Sequence, residues 1–298
     1  MNKKFLFELK EVCRVTSFVD LKTLTTFRIG GKAEYYAEVS SVAGLKKALK
    51  ICEKHNVKYS IIGRGSNILA SDNGFLGLII RLCGDFCGVS KSLNKVICGA
   101  GVNLILLNHF LAEQSLGGLE WSYGIPGSVG GAIYMNAGAY CHEMSEFVDF
   151  VVVLRGGKVL FVGKKEMSFS YRFSSFQNKT DVILFVGFGL KPNKKEKILR
   201  TQKAIITKRA ASQPINCPSA GSVFKRKDGI VPAKIIDEIG LKGKKIGCAC
   251  VSKMHAGFIV NCGLATCQDV INLISYVKKE VFDKRQIVLE EEIEFLGE

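Results

Sequence analysis

The stretch "GIPGSVGGAIYMNAGAY", residues 124–140, decides how this chain is read. Glycines at 124, 127, 130, 131 and 138 break any regular strand, and the small residues between them lead towards a helix. Backbone amides bared by glycine at a helix start hold a pyrophosphate at little cost, because the donors are fixed and the helix dipole favours negative charge. The letters "GRGSN" at 63–67, directly after an expected strand, repeat the pattern. Neither segment is a dinucleotide fingerprint, since Ile68 stands where a third glycine belongs, and no G-x-x-x-x-G-K-[ST] loop occurs. Each segment alone also reads as a tight turn. Together, at the ends of strands in one domain, they leave turn and anion cradle equally open.

On the N-terminal side, Val42, Leu45, Leu49 and Cys52 form a helical stripe with Lys46, Lys47, Lys50 and Lys54 opposite, and strands are expected at 57–62 and 76–82. A second helix is expected over 103–115, stopping at Gly117-Gly118. On the C-terminal side "FVDFVVVLRGGKVLFV" predicts a hairpin about Gly156-Gly157, and "DVILFVGFGL" a further strand. A basic helix follows over 194–211, then a helix near 232–239, a strand at "AGFIVN", and a helix opened by Thr266 with Asp269 three residues on, as in a capping box. The last expected strand is "QIVLEEEIEFLG", in which Glu291 falls on the side of Ile287, Leu289, Ile293 and Phe295, so a bulge or an edge position is expected. Composition and charge shift at Pro192-Asn193, which places a domain boundary near 195.

The 298 residues, 47% hydrophobic and 23% charged, suit two ordinary domains and not a disordered chain. The apolar run at 5–7 is too short for a signal-peptide core, and the run at 150–154 falls far short of a membrane span, so a cytoplasmic location is expected. Most of the eleven cysteines, with no C-x-x-C and no zinc-ligand spacing, read as small core residues in a reducing compartment, a metal or redox role for Cys248 and Cys250 ranks below packing, and no metal is expected. The net charge of +15 is uneven: 191–253 holds sixteen basic against four acidic residues, whereas 254–298 holds four against eight. Such an excess suits phosphorylated ligands. Without an RNA-binding aromatic signature or helix-turn-helix spacing it does not point to nucleic acid, although a basic nucleotide-binding protein stands as the non-enzymatic alternative. "SAGSVF", residues 219–224, lacks the G-x-S-x-G elbow of a nucleophile, and by its own letters Ser222 is a turn residue.

Seven blocks then fall in one order: "TTFRIGG" (25–31), "GRGSN" (63–67), "GIPGSVGGAIYMNAGAY" (124–140), "YRFS" (171–174), "SAGSVFK" (219–225), "HAGFIVN" (255–261) and "LEEEI" (289–293). In that order, from about residue 21 to 296, the chain resembles the UDP-N-acetylenolpyruvoylglucosamine reductase family. The resemblance implies an α+β protein. A vanillyl-alcohol-oxidase-type FAD-binding fold of two subdomains would occupy 1–195, split near 85, and a C-terminal α+β substrate-binding domain 196–298. It further implies FAD bound without a covalent link, held by Gly63, Gly65, Ser66 and Asn67 and by Ile125, Pro126, Gly127, Ser128, Gly130, Gly131, Asn136 and Gly138.

In the implied reaction NADPH reduces the flavin, and the enolpyruvyl ether of UDP-N-acetylglucosamine then receives the hydride. Enolate character is left beside a carboxylate, which calls for charge stabilisation and a proton. By resemblance Arg172 and Glu292 polarise that carboxylate and Ser222 gives the proton, while Lys208, Lys225 and Arg226 are the expected diphosphate contacts. One departure stands out: many relatives have Asn-Pro after "SVFK", and this chain has Arg226-Lys227. Only six residues, 175–180, separate "YRFS" from "DVILFVGFGL", so the chain resembles the second type of the family, which lacks a long tyrosine-bearing loop. The partners so implied are the UDP-sugar and NADPH, with no nucleic acid or membrane, acting on a monomer. A flavin oxidase or dehydrogenase on the same cofactor fold is the competing enzyme reading; it accounts for the glycine segments but not for "SAGSVF" together with "LEEEI".

Overall fold

Gly156 and Gly157 turn the chain with φ of +53° and +74°, the two positive values that a type I′ turn requires. The flanking strands Val148–Arg155 and Lys158–Gly163 pair antiparallel from Arg155↔Lys158, so the expected hairpin is present. The structure is a computed structural model describing residues 2–93, 95–177, 181–227 and 229–297. Its chain forms two units: Met1–Thr16, Tyr36–Arg64 and Gly77–Lys208 make the first, and Ser17–Tyr35, Gly65–Leu76 and Arg209–Glu298 the second.

In the first unit the hairpin is one edge of a five-stranded antiparallel sheet that continues through Val182–Gly189, Lys95–Gly99 and Val89–Ser92. Val151, Val153, Val186 and Val96 are buried on its inner face. The Val129–Tyr134 helix packs on Val182–Gly189 and Lys95–Gly99. The helix expected over 103–115 spans Leu104–Glu113, opened by Asn103, whose side chain accepts the Ile105 N–H at 2.8 Å. Upstream, Ser41 caps the Val42–Lys54 helix through the Gly44 N–H (3.1 Å), and Tyr59–Ile61 runs parallel to Phe75–Leu82. The Lys3–Lys10 helix packs on Val42–Lys54, with Glu8 bound to Lys54 at 2.8 Å. The basic helix spans Lys195–Ser212, one residue from its expected place at either end.

In the second unit the short strands Lys245–Ile246, Ala249–Val251 and Ile259–Asn261 form an antiparallel sheet beside the Cys267–Arg285 helix. That helix buries Val270, Leu273, Ile274, Val277 and Val281, an i, i+3, i+4, i+7 stripe. Its first amides are all engaged. Thr266 and Asp269 form the expected reciprocal box, and both oxygens of the distant Asp72 take the N–H groups of Cys267 (2.8 Å) and Gln268 (3.0 Å). No helix among the described residues is long and apolar enough to cross a membrane.

The last expected strand is much shorter than "QIVLEEEIEFLG", because its backbone serves two partners in turn. Lys225 N–H donates to Glu290 O (2.9 Å) and Glu292 N–H to Val223 O (2.7 Å). Only Glu294–Leu296 is a strand, paired parallel with Ile68–Ala70. Glu291 bridges to Phe224, and its carboxylate holds Lys278 at 2.9 Å, which gives the charge expected on the apolar side a partner.

Asp72 caps a helix that lies far from it in sequence. Asp72→Ala is expected to cost about 1 kcal/mol or somewhat more, as loss of a side-chain N-cap does. The change reads out as a lower urea midpoint with an unchanged slope.

Candidate active site

The two glycine-rich segments meet at one atom pair in the first unit. A Cβ on Gly63 would lie 2.2 Å from Ser128 Oγ, so only glycine lets the 63–67 loop rest on Ser128. Ser128 is itself buried and caps the Val129–Tyr134 helix, accepting the Gly131 N–H at 3.3 Å. Val129 and Gly130 donate to the carbonyls of Val102 and Ala100, both at 2.8 Å, and Leu104 N–H donates to Gly127 O at 3.1 Å. The amides of Gly130 and Gly131 thus turn inward. Among the described residues, those of Gly127 and Ser128 meet no protein acceptor, which moves the cradle expected for "GIPGSVGGA" one turn earlier. A flavin pyrophosphate fits such a pair of open donors. Ile125 N–H bonds Ser122 O (3.0 Å), which fixes the approach to Pro126.

Asn136, with φ of +41°, is fully buried, and its amide is used within the protein. Nδ2 donates to Glu143 Oε2 (2.7 Å) and Ser170 O (3.0 Å), and Oδ1 accepts the Ser145 N–H (3.0 Å). Its side chain therefore shapes the loop around Gly138. There the structure brings in Arg172, whose Nη2 donates to Gly138 O at 3.2 Å and whose guanidinium lies 4.8 Å from the Tyr171 ring. A Cβ on Gly138 would press on His142 O at 2.7 Å and sit 3.3 Å from Arg172 Nη1. The Lys208 ammonium stands 5.2 Å over the ring of Tyr140, two residues further on.

In the second unit five of the sequence blocks converge. Ser222 bridges to Phe258, and Val223 N–H donates to Gly257 O at 2.8 Å, so "SAGSVF" lies extended between "HAGFIVN" and "LEEEI". Asn67 Nδ2 donates to Glu292 O (2.9 Å) and Asn67 O accepts the Glu294 N–H (2.8 Å). Thr26 links the N-terminal block, its hydroxyl donating to Ser219 O (2.7 Å) and its N–H to Gly65 O (3.2 Å). Gly65 has φ of +61°, and Ser66 follows it into the same loop. Among the three consecutive glutamates, Glu290 is paired with Lys227 (2.6 Å) and Glu291 with Lys278. Lys225 is part-buried beside Glu290, and Arg226 is exposed.

Sequence reading passed over His255. Its Nδ1 accepts the Gly257 N–H at 3.2 Å, and its ring stands edge-on to Phe258, the residue bridged to Ser222. Burial, assisted by the positive charges of Arg226 and Lys242 against an opposing Asp237, holds its pKa below the usual 6.5. The glycine two residues on was the available signal. Cys250 is a buried thiol pushed upward by desolvation, and among the described residues no group of three or more His, Cys, Asp or Glu is arranged to hold a metal ion.

Residues 33–163 match the family model described as an FAD binding domain. With the fold above, this makes the chain an FAD-containing oxidoreductase of mixed α and β structure. Residues 213–296 match a second model, the C-terminal domain of UDP-N-acetylenolpyruvoylglucosamine reductase. The enzyme of that name from Lactiplantibacillus plantarum is 42% identical over 93% of this chain and 92% of its own length. UDP-N-acetylenolpyruvoylglucosamine reductase 1 of Bacillus cereus is 39% identical over 96% of each. The crystal structure of the Thermus caldophilus reductase superposes with a TM-score of 0.84 at 35% identity, covering 96% of this chain and all of that one. The chain belongs to the UDP-N-acetylenolpyruvoylglucosamine reductase family.

Gly63→Ala forces its new methyl group onto Ser128 Oγ. Overpacking of this kind costs about 1–3 kcal/mol, so FAD is expected to bind about tenfold or more weakly, seen as a lower ratio of flavin to protein absorbance after purification. For His255, the folded state favours neutral imidazole, so its contribution is complete above pH 6.5 and is lost as pH falls through the lower folded value. His255→Gln is expected to flatten the fall in urea midpoint on the acid side of that pH.

Proposed function

We propose that Arg172, Ser222 and Glu292 carry out the reduction of UDP-N-acetylglucosamine enolpyruvate to UDP-N-acetylmuramate with NADPH. The family's reaction, FAD-dependent and part of peptidoglycan precursor synthesis, is this chain's reaction. The observation that most supports the residue roles is the double pairing of "SAGSVF", which fixes Ser222 and Glu292 on neighbouring backbones. When bound, FAD would supply the two-electron chemistry that links NADPH to the enolpyruvyl group.

The chain's own residues do the rest. The Arg172 guanidinium matches a carboxylate with two parallel donors, and its φ of +55° sets it at a turn tip. Glu292 shares a proton with the same substrate carboxylate as enolate charge develops. Ser222 hands its hydroxyl proton to the carbon beside that carboxylate. A serine is a weak acid, but a carbanion is a far stronger base than water, so placement matters more than acidity. Lys225 or Lys208 eases the alkoxide left behind, and Lys208, Lys225 and Arg226 are the contacts for the substrate diphosphate. Open amides at Gly127 and Ser128, with Gly63, Gly65, Ser66 and Asn67 of the 63–67 block, hold the flavin phosphates without a covalent link.

On this reading 1–195, split near 85, carries the flavin and 196–298 the nucleotide sugar, a division supported by family-model matches over 33–163 and 213–296. The protein works as a cytoplasmic monomer, where NADPH and UDP-sugars are available, without nucleic acid or membrane partners. It is of the type without the tyrosine-bearing loop. Of the short connection that supports this, residues 175–177 are described, while 178–180 lie outside the described residues.

Ser222→Ala is expected to leave anaerobic bleaching of the flavin by NADPH nearly intact. Recolouring by the enolpyruvyl substrate is expected to slow by roughly 10²–10⁴, the usual contribution of a placed acid. Equal slowing of both half-reactions would remove Ser222 from the proton-donor role.

A further inference from the structure

The geometry points to Gln177 as a positioning residue for Arg172, a clamp that holds the guanidinium in place for the carboxylate of the substrate. The inference rests on the reading of Arg172 given above.

Phe169–Ser170 and Phe173–Ser174 pair as Phe169↔Ser174 and Ser170↔Phe173, leaving Tyr171 and Arg172 as a two-residue hairpin loop. Arg172 closes that loop with φ of +55°, a conformation that ordinarily selects glycine or asparagine. A long cationic side chain at such a position costs the fold free energy, and non-glycine residues persist there when their surroundings hold them. The surroundings here are specific. Gln177 Nε2 donates to the carbonyl of Arg172 itself (3.2 Å) and to the carbonyl of Tyr134 (2.7 Å), with Met135 Sδ at 3.8 Å as a weaker third neighbour. The two N–H groups of one carboxamide therefore have one carbonyl each. One carbonyl belongs to the strained residue, the other to the last residue of the Val129–Tyr134 helix, whose N-terminal end carries Ser128.

The opposite end of Arg172 is held by Gly138 O, four residues beyond Tyr134. Main chain and side chain of Arg172 are thus referred to the same short segment, 134–138. If the bond to its carbonyl is removed, the loop loses the contact that stabilises positive φ, and the guanidinium leaves Gly138 O. Ser174 provides an internal control. Its buried hydroxyl also donates to Tyr134 O (2.7 Å), so it ties down the hairpin without touching the carbonyl of Arg172.

The test uses the FAD-loaded protein with Gln177→Ala and with Gln177→Glu, which keeps the shape but loses the donors. Flavin bleaching by NADPH and recolouring by UDP-N-acetylglucosamine enolpyruvate are timed separately, and the thermal midpoint of flavin-free protein is recorded. Recolouring is expected to slow about 10–100-fold, the scale of a misplaced catalytic group, with bleaching changed less than about twofold and the midpoint nearly unmoved. In an Arg172→Ala background, Gln177→Ala is expected to add less than about twofold, because the group it positions is gone. Equal loss in both half-reactions, or full additivity with Arg172→Ala, overturns the clamp. If Arg172→Ala slows recolouring and neither Gln177 variant does, the clamp fails and the role of Arg172 stands. If Arg172→Ala leaves recolouring unchanged, the clamp falls together with the reading beneath it.

Discussion

Val223 carries the geometry of the second unit through two main-chain hydrogen bonds, its N–H to Gly257 O and its carbonyl from Glu292 N–H. Buried backbone groups have to be paired, and residues 222–225 belong to no regular strand of their own, so these bonds keep the segment extended. Ser222 consequently has its position set by main chain on both sides rather than by contacts of its hydroxyl. For the proton-donor role proposed for Ser222 this placement is the condition that matters, since a weak acid works only when it is already in place.

The features that sequence made legible are those whose cause is local. Gly156-Gly157 requires positive φ at both positions, and only one kind of turn answers it. Thr266 and Asp269 cap their own helix, and the stripe from Val270 to Val281 repeats with helical spacing. What stayed illegible depends on partners far away in the chain. Nothing within "QIVLEEEIEFLG" reveals that its backbone changes partner at Ile293, from residues near Phe224 to Ile68–Ala70. Nor does the chain near Asp72 announce that its carboxylate completes a helix almost two hundred residues later.

The same distinction runs through the site. The order of blocks marks Gly63, Ser128, Arg172, Ser222 and Glu292 together, yet it does not tell which atoms of a block stay available. Glycine-rich letters suggested amides exposed along the whole of 124–132, whereas those of Gly130 and Gly131 are consumed by the fold. Asn136 looked like a ligand contact and spends its amide on Glu143, Ser145 and Ser170. The run of glutamates is sorted by lysines that pattern could not assign: Lys227 takes Glu290 and Lys278 takes Glu291. Polar groups in a protein are distinguished by what already satisfies them, and that is a three-dimensional property.

The parallel pairing of Ile68–Ala70 with Glu294–Leu296 bears on how the protein is made. A strand formed early in synthesis lacks its neighbour until the ribosome has reached residue 296, and Asp72 waits equally long for the helix it caps. The second unit therefore closes after translation of nearly the whole chain, with contacts of very high sequence separation, the kind that fold slowly and leave strand edges bare meanwhile. The first unit has all five strands of its sheet once residue 189 is out, and its last segment ends at Lys208.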